Sequence, residues 1–375
     1  MRVSLNVIRL LVLLFVCHAG PAIAAGKPLD VVLLSPAAEG NDFWDLCILF
    51  TRQAASNLNI RLEVVHGDGN RFLTTEQAEA ILNRDKKPDY LVFNYFFSQG
   101  SAILDLAEKQ GVKTLIINTD IPERELVLTG KPGEKYPHWI GRIIPDDRKA
   151  SEQLTALISD EAGKRQLTSP DNKHHMIAIN GLRDSTATVA RAEGLMAALH
   201  RKPTLLFHQQ VYANWSADIA RSQSAALLER YPATRLIWAA SDAMALAALE
   251  SASARGLRPG QDILAVGVDW TPDGLNAIEQ GRLLASAGGQ FMDGALALVM
   301  IADDADGIRT QAAQRDILRS MAIIRRENLN QYRQFLNPDN WKKLDFQRLR
   351  LKAKDTTQGY AFDTDAVVSR LMADH

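Results

Sequence analysis

From Leu29 onward, short apolar runs alternate with longer stretches in which apolar residues recur every three or four positions. Asp30–Leu34 reads as a buried strand, Phe43–Asn57 as a helix, Arg61–His66 as a strand, and Thr74–Asn83 as a helix capped by Thr74 or Thr75. Tyr90–Phe93 is a strand, Ser98–Gln110 a helix closed by Gly111, and Lys113–Ile117 a strand. The rhythm restarts at Asp146. Helices over Asp146–Gly163, Ser185–His200, Trp215–Tyr231 and Asp242–Arg255 alternate with strands over His175–Asn180, Thr204–Val211, Leu236–Ala239 and Ile263–Gly267. Pro272–Gln280 is a short helix, and Leu283–Ser286, Asp293–Ala302 and Met321–Ile324 complete the second set. Strands alternating with helices of this length form βαβ units with parallel strands. The expected fold class is α/β, with two doubly wound parallel-sheet lobes. The tail from Asn328 is different: polar and charged, with Trp341, Phe346 and Tyr360 scattered through it, and its pattern belongs to neither lobe.

The first residues also break the rhythm. Arg2 and Arg9 precede the apolar run Leu10–Val16, which is too short to span a bilayer, and Ala22-Ile23-Ala24 supplies small residues two apart. Residues 1–25 therefore read as a cleaved secretory signal peptide, and the mature chain is expected in the periplasm. Cys17 follows Val16 rather than Gly or Ala, so a lipid anchor is the lesser alternative. After cleavage only Cys47 remains, on an apolar helical segment, where it reads as a buried inert thiol.

A mature chain of roughly 350 residues exceeds what one core usually serves, which implies two domains. Net charge is −1 with both signs mixed along the chain, and no basic stripe argues for nucleic acid. No phosphate loop, nucleophile elbow or pair of catalytic carboxylates is present, so the chain reads as a binder without cofactor or metal rather than an enzyme. Asp304-Ala-Asp306-Gly307 resembles the start of a calcium loop, but Ala302 and Ala313 stand where ligands are needed. His174-His175 has no partner at metal spacing and reads as a surface pair.

In an open parallel sheet, ligands bind beyond the carboxyl ends of the strands. The residues there are Ser35 to Trp44, Asn118-Thr119-Asp120, Gly181 to Ser185, Asn214-Trp215, Ser241-Asp242 and Asp269-Trp270. Any one Asn or Asp could be a helix cap, and any one ring could belong to the core. As a set, rings beside amides and carboxylates suit a polyhydroxylated ligand, whose C–H faces stack on rings while its hydroxyls are paired by polar groups.

At these loops the chain resembles the sugar-binding branch of the type I periplasmic binding proteins, over about residues 29 to 326. Trp238-Ala-Ala-Ser-Asp242 and Gly267-Val-Asp269-Trp270-Thr271-Pro272-Asp273-Gly274 carry most of the likeness, with Arg191-Ala-Glu193-Gly194 and Asn41-Asp-Phe43-Trp44. The family's ribose-binding proteins and autoinducer-2 receptors are both similar. The resemblance implies that Asn41, Phe43 and Trp44 form the first wall of a cleft and that Asn118 adds to it. It implies Arg191 as a ligand-facing guanidinium, Trp215 as a covering ring, Asp269 as the acceptor of hydroxyl protons, and Ser241 and Gln290 as further polar contacts. Trp270, also at a strand end, is expected to report ligand binding. Asn118-Thr119 replaces the Asp-Arg pair of ribose binders, and Gln290 replaces a second arginine of the autoinducer-2 receptors, so the pocket matches neither pattern.

The resemblance further implies three crossovers, near Pro145, Gln290 and Leu318, as a three-segment hinge. Residues 26–145 and 290–318 would form the first lobe, 146–289 and 319–340 the second, and 341–375 an extension. A monomer is expected to close on its small polar ligand. Its partner would be either the permease of an ABC importer or a membrane sensor protein that reads the closed form as a signal.

Overall fold

The structure is a computed structural model that describes residues 27–308, 311–351 and 359–373; the expected signal peptide, 1–25, lies outside them. The first five strands are β1 (Leu29–Ser35), β2 (Ile60–His66), β3 (Tyr90–Phe93), β4 (Lys113–Ile117) and β5 (Trp139–Pro145). Then come β6 (His174–Asn180), β7 (Leu205–Tyr212), β8 (Leu236–Ala239), β9 (Leu264–Val268) and β10 (Ala285–Gly288), followed by β11 (Asp316–Arg319) and β12 (Ala322–Arg325). They form two sheets, ordered β11-β5-β4-β3-β1-β2 and β12-β10-β9-β8-β6-β7. This is the expected α/β fold of two doubly wound lobes.

Alternation along the strands explains the layering. Val31, Leu33, Val92, Leu115 and Ile117 enter one buried cluster, while Val32, Leu34, Leu91, Phe93 and Ile116 enter another on the opposite face. A sheet covered on both faces needs apolar residues at both phases of the pleat, which is why its strands read as continuous apolar runs.

Several elements depart from the pattern reading. Trp139–Pro145 and Asp316–Arg319 are neighbouring strands, β5 and β11, that periodicity misses. Arg142 interrupts the apolar run of β5, and its charge is matched inside the sheet edge by Asp316, at 2.6 Å from Nε. The helix after β2 begins at Arg71, three residues before the expected cap, because Asn70 Oδ1 accepts from the amides of Phe72 and Leu73. β12 runs antiparallel to β10. Only Ser320 and Met321 separate it from β11, so it enters the second sheet at the hinge, where the other strands end, and must run away from it. The His174-His175 pair is buried, not on the surface. His175 Nδ1 shares a hydrogen bond with His208 Nε2 at 2.9 Å, and its Nε2 another with Asp171 at 2.9 Å.

The chain passes between sheets after β5, after β10 and after β11. The tail then crosses again. Leu329–Tyr332 is a short helix, and Tyr332 lies on Trp270 with ring centres 5.1 Å apart. Phe335, Trp341 and Phe346 then surround Phe50, on the first-lobe helix Asp42–Asn57, at ring distances of 5.8, 4.9 and 5.3 Å. Phe291, from the second crossover, completes the group at 5.3 Å from Phe50. Cys47, on the same helix, is 1% exposed and burial pushes its thiol pKa up to about 12, as befits an inert core residue.

Because Phe50 is the centre of five packed rings, Phe50→Ala is expected to cost about 3–5 kcal/mol of folding stability. Chemical denaturation measures this, and a loss below about 1 kcal/mol would show that the tail rings collapse into the gap.

Candidate functional site

Both sheets end at the hinge, so their strand-end loops face one another. In the first lobe, Asn41 is exposed and caps the helix Asp42–Asn57, its Oδ1 accepting from Trp44 N at 3.1 Å. The cap fixes the start of the helix and therefore the pair behind it. Trp44 is buried, Phe43 is half-buried, and their rings meet edge to face at 5.1 Å. After β3, Asn94 is 1% exposed. Its amide donates to Ile117 O at 3.1 Å, while its Oδ1 has no protein partner. After β4, Asn118 takes a left-handed conformation with φ +64°, which turns the chain toward the second lobe.

Asp120, two residues on, bridges the lobes. Its backbone N–H donates to Thr186 Oγ1 at 2.8 Å, and that hydroxyl donates back to Asp120 O at 3.2 Å. Arg142 pairs with its carboxylate, yet burial holds the Asp120 pKa above the usual carboxylate range. A second bridge joins Arg71 of the first lobe to Asp184 of the second.

In the second lobe, strained backbone marks two strand ends. Asn214 and Trp215 follow β7 with φ +51° and +63°, and Asp269 and Trp270 follow β9 with φ +123° and +61°. Consecutive non-glycine residues in this region cost free energy and persist only where packing holds them. The Trp215 ring lies on Gly181, where a Cβ would come within 2.2 Å of it, so only glycine admits the ring. Asp269 is 9% exposed and its Oδ1 accepts from Gln290 Nε2 at 2.8 Å, which ties β9 to the second crossover. Gln290 is 1% exposed, and its Oε1 has no protein partner.

Arg191 is 4% exposed and lies in the same cluster. Its Nε donates to Asp147 at 2.6 Å, its Nη1 donates to Ala240 O, and its guanidinium sits 5.5 Å from the Trp215 ring centre. A guanidinium so engaged holds the first crossover, the end of β8 and the covering ring together. Ser241 is 5% exposed and caps the helix Asp242–Ala254 through Met244 N. Asp242 accepts from Thr271 N and Oγ1 at 3.0 and 3.3 Å. Trp270 is fully buried against Gly288 and Tyr332, and its Nε1 donates to Ser286 O at 3.0 Å.

Thus Arg191 meets Trp215, Asp269 meets Gln290, and Phe43 meets Trp44. Sequence reasoning singled out neither Asp147, which reads as an ordinary first-turn acid, nor the bridging residues Arg71 and Thr186. Asp120 and Asp184 were legible only as strand-end residues. Asn94 stands at the same place after β3, a signal that could have found it. Among the described residues no group of three or more His, Cys, Asp or Glu is placed to hold a metal ion, and no helix is long and apolar enough to cross a membrane.

Two α/β lobes joined by three crossovers, with rings and buried polar groups at their strand ends, have the architecture of a binding protein of the periplasmic type. Residues 31–312 match the family model described as periplasmic binding protein domain, and the chain belongs to that family. It is 29% identical to a periplasmic sugar-binding protein from Pseudomonas fluorescens, with a TM-score of 0.79 over 90% of this chain and 99% of that one. It is 30% identical over 221 residues to the ribose import binding protein of Salmonella typhimurium, covering 54% of this chain and 70% of the relative. It is 23% identical over 229 residues to the xylitol-binding protein of Mycolicibacterium smegmatis, covering 60% of this chain and 58% of the relative. The chain spans just over half the length of that relative, and 44% of the ribose import binding protein of Bacillus subtilis. The family is periplasmic and its matched members bind solutes, which supports a binder rather than an enzyme.

Burial raises the pKa of every carboxyl in the second-lobe cluster: Asp147, Asp242 to about 7, and Asp269 despite the opposing charge of Arg191. A carboxyl raised above its unfolded value of 3.8 binds more protons folded than unfolded, so its contribution is complete below that value and lost as pH rises through about 7. Asp242→Asn is therefore expected to flatten the fall in stability between about pH 4 and 7. Denaturation midpoints across that range measure it, and parallel curves for the two proteins would contradict it.

Proposed function

We propose that the chain captures a small, neutral, polyhydroxylated ligand, a sugar or sugar alcohol, between its lobes and presents it to the permease of an ABC importer. The observation that carries the reading is the Asp269–Gln290 pair, buried at the strand ends with Gln290 Oε1 unpaired. A buried acceptor left unpaired costs roughly 1–3 kcal/mol, so a donor from the ligand is favoured there. Asn94 Oδ1 makes the same demand from the first lobe. Hydroxyl groups supply such donors, while Phe43 and Trp215 offer ring faces to the C–H side of a sugar. At the strand ends Arg191 is matched by Asp147, Arg142 by Asp120 and Asp316, and Arg71 by Asp184, while Arg183 lies over the Tyr212 ring, which favours a neutral ligand over an acid.

On this reading Asn41, Phe43, Trp44 and Asn118 shape the first wall, with Asn94 added. Trp215, Asp269 and Gln290 contact the ligand from the second lobe. Arg191 and Ser241 position them: Arg191 braces Trp215, and Ser241 caps the helix that starts beside Asp269. The names of the ribose and xylitol relatives agree with a ligand of this class. Closing on the ligand shifts the population toward the form a membrane partner recognises, and the expected export signal places that encounter in the periplasm.

A thermal-shift screen with D-ribose, D-allose, xylitol and D-glucuronate tests this, since a ligand selective for the folded state raises the melting temperature. A neutral sugar or polyol is expected to stabilise the protein and glucuronate to leave it unchanged. Asp269→Ala and Gln290→Ala should each weaken the stabilising sugar about tenfold or more, the effect of losing a hydrogen bond to a buried polar group. Unchanged affinity in both variants would overturn the site.

A further inference from the structure

We propose that residues 329–351 and 359–371 form a strap that fixes the angle between the lobes and so sets the affinity of a site it does not line. The proposal rests on the reading that the lobes move about the crossovers.

The strap is anchored on the second lobe by Tyr332 against Trp270 at 5.1 Å and by Arg333 paired with Glu279 at 2.7 Å. Three residues after Tyr332, Phe335 is already buried in the first lobe between Phe50 and Phe291. Three residues reach at most about 10 Å, so the turn between the anchors has little slack. Any change of interlobe angle that alters the distance from Trp270 to Phe50 must strain this turn or undock a ring. Both anchors sit beside the site. Phe50 shares its helix with Phe43 and Trp44, Phe291 follows Gln290, and Trp270 follows Asp269.

The strap then returns to the crossovers. Asp303, fully buried, accepts from Arg350 Nε at 2.7 Å, from Leu351 N at 2.9 Å and from Tyr360 OH at 2.9 Å. Arg319, fully buried at the third crossover, donates to Phe362 O, Thr364 Oγ1 and Asp293 Oδ1 at 2.8, 2.9 and 3.0 Å. Thr364 also packs on the second crossover, where a Cβ on Gly289 would lie 2.4 Å from its Oγ1. Tyr332 OH donates to Asp365 at 2.7 Å, tying the end of the strap to its start. The segment thus grips two crossovers and both lobes.

Slackening the strap while leaving its anchors in place is the test. Three glycines inserted between Arg333 and Gln334, both exposed in a turn, lengthen it. Tyr332→Leu, a second variant, removes the ring on Trp270 and the bond to Asp365. Nitroxide labels on Glu76→Cys and Val189→Cys, exposed on opposite lobes, report the interlobe distance by pulsed electron resonance, because buried Cys47 does not react. In the ligand-free protein both variants are expected to broaden the distance distribution relative to the native chain. Native distributions in folded variants would overturn the strap, and so would loss of the folded state in both, which would make the tail part of a core. The distances are read without sugar. A native chain that responds to none of the sugars would therefore fail the functional reading and leave the strap standing, and a sugar response with native distances in the variants would do the reverse.

Discussion

The Arg319 guanidinium is the point on which the two lobes depend. It is fully buried, it ends β11, and it binds the second crossover through Asp293 and the tail through Phe362 and Thr364. Removing a charge of this size from water is costly unless it is paired and its remaining donors are satisfied. Here Nε, Nη1 and Nη2 all have acceptors, drawn from two stretches of chain remote from its own. Burial still depresses the arginine pKa and raises that of Asp293 to about 7, so the pair's cohesion depends on geometry that all three stretches must maintain together.

The second lobe repeats the device at the first crossover. Asp147 opens the helix that leaves β5, and its partner Arg191 also holds the end of β8 and lies under Trp215. In each case a crossover begins with an acid in the first turn of a helix, and an arginine from elsewhere fixes it. At the strand ends stand the unpaired amide oxygens of Gln290 and Asn94, the ring of Trp215, and Phe43 against Trp44. Arg191 and Arg142 are matched by carboxylates within the protein, while the amide oxygens of Gln290 and Asn94 are left without a partner, which is the physical basis for proposing a neutral polyhydroxylated ligand.

Most of the fold was legible because buried parallel strands announce themselves as apolar runs between amphipathic helices. What escaped were the two strands beside the first and third crossovers, each interrupted or bounded by charge. β5 was missed because Arg142 sits in its middle, and β11 because a four-residue strand that begins at Asp316 and ends at Arg319 looks like a loop until its partners are known. The strand-end rule located Trp215 and Asp269 in one region, since topology alone dictates it, and the family resemblance added Gln290. It could not say which groups are already engaged. Arg191 as a free guanidinium and Arg191 bound to Asp147 read identically along the chain, forty-four positions apart. The burial of Trp270 against Gly288, with a φ of +61°, was not legible either, since a positive φ on tryptophan leaves no trace in composition or periodicity. The tail's rings had no period at all, because they pack one by one, Phe335, Trp341 and Phe346 around Phe50, Tyr332 on Trp270 and Tyr360 on Phe362.

The central claim is that a neutral sugar is held between lobes that close on it. Small-angle X-ray scattering of the protein with and without a saturating concentration of the sugar that most raises its melting temperature tests it most directly. The account predicts a smaller radius of gyration with the sugar, from closure about the crossovers. A sugar that binds and stabilises the protein while leaving the scattering profile unchanged would contradict it.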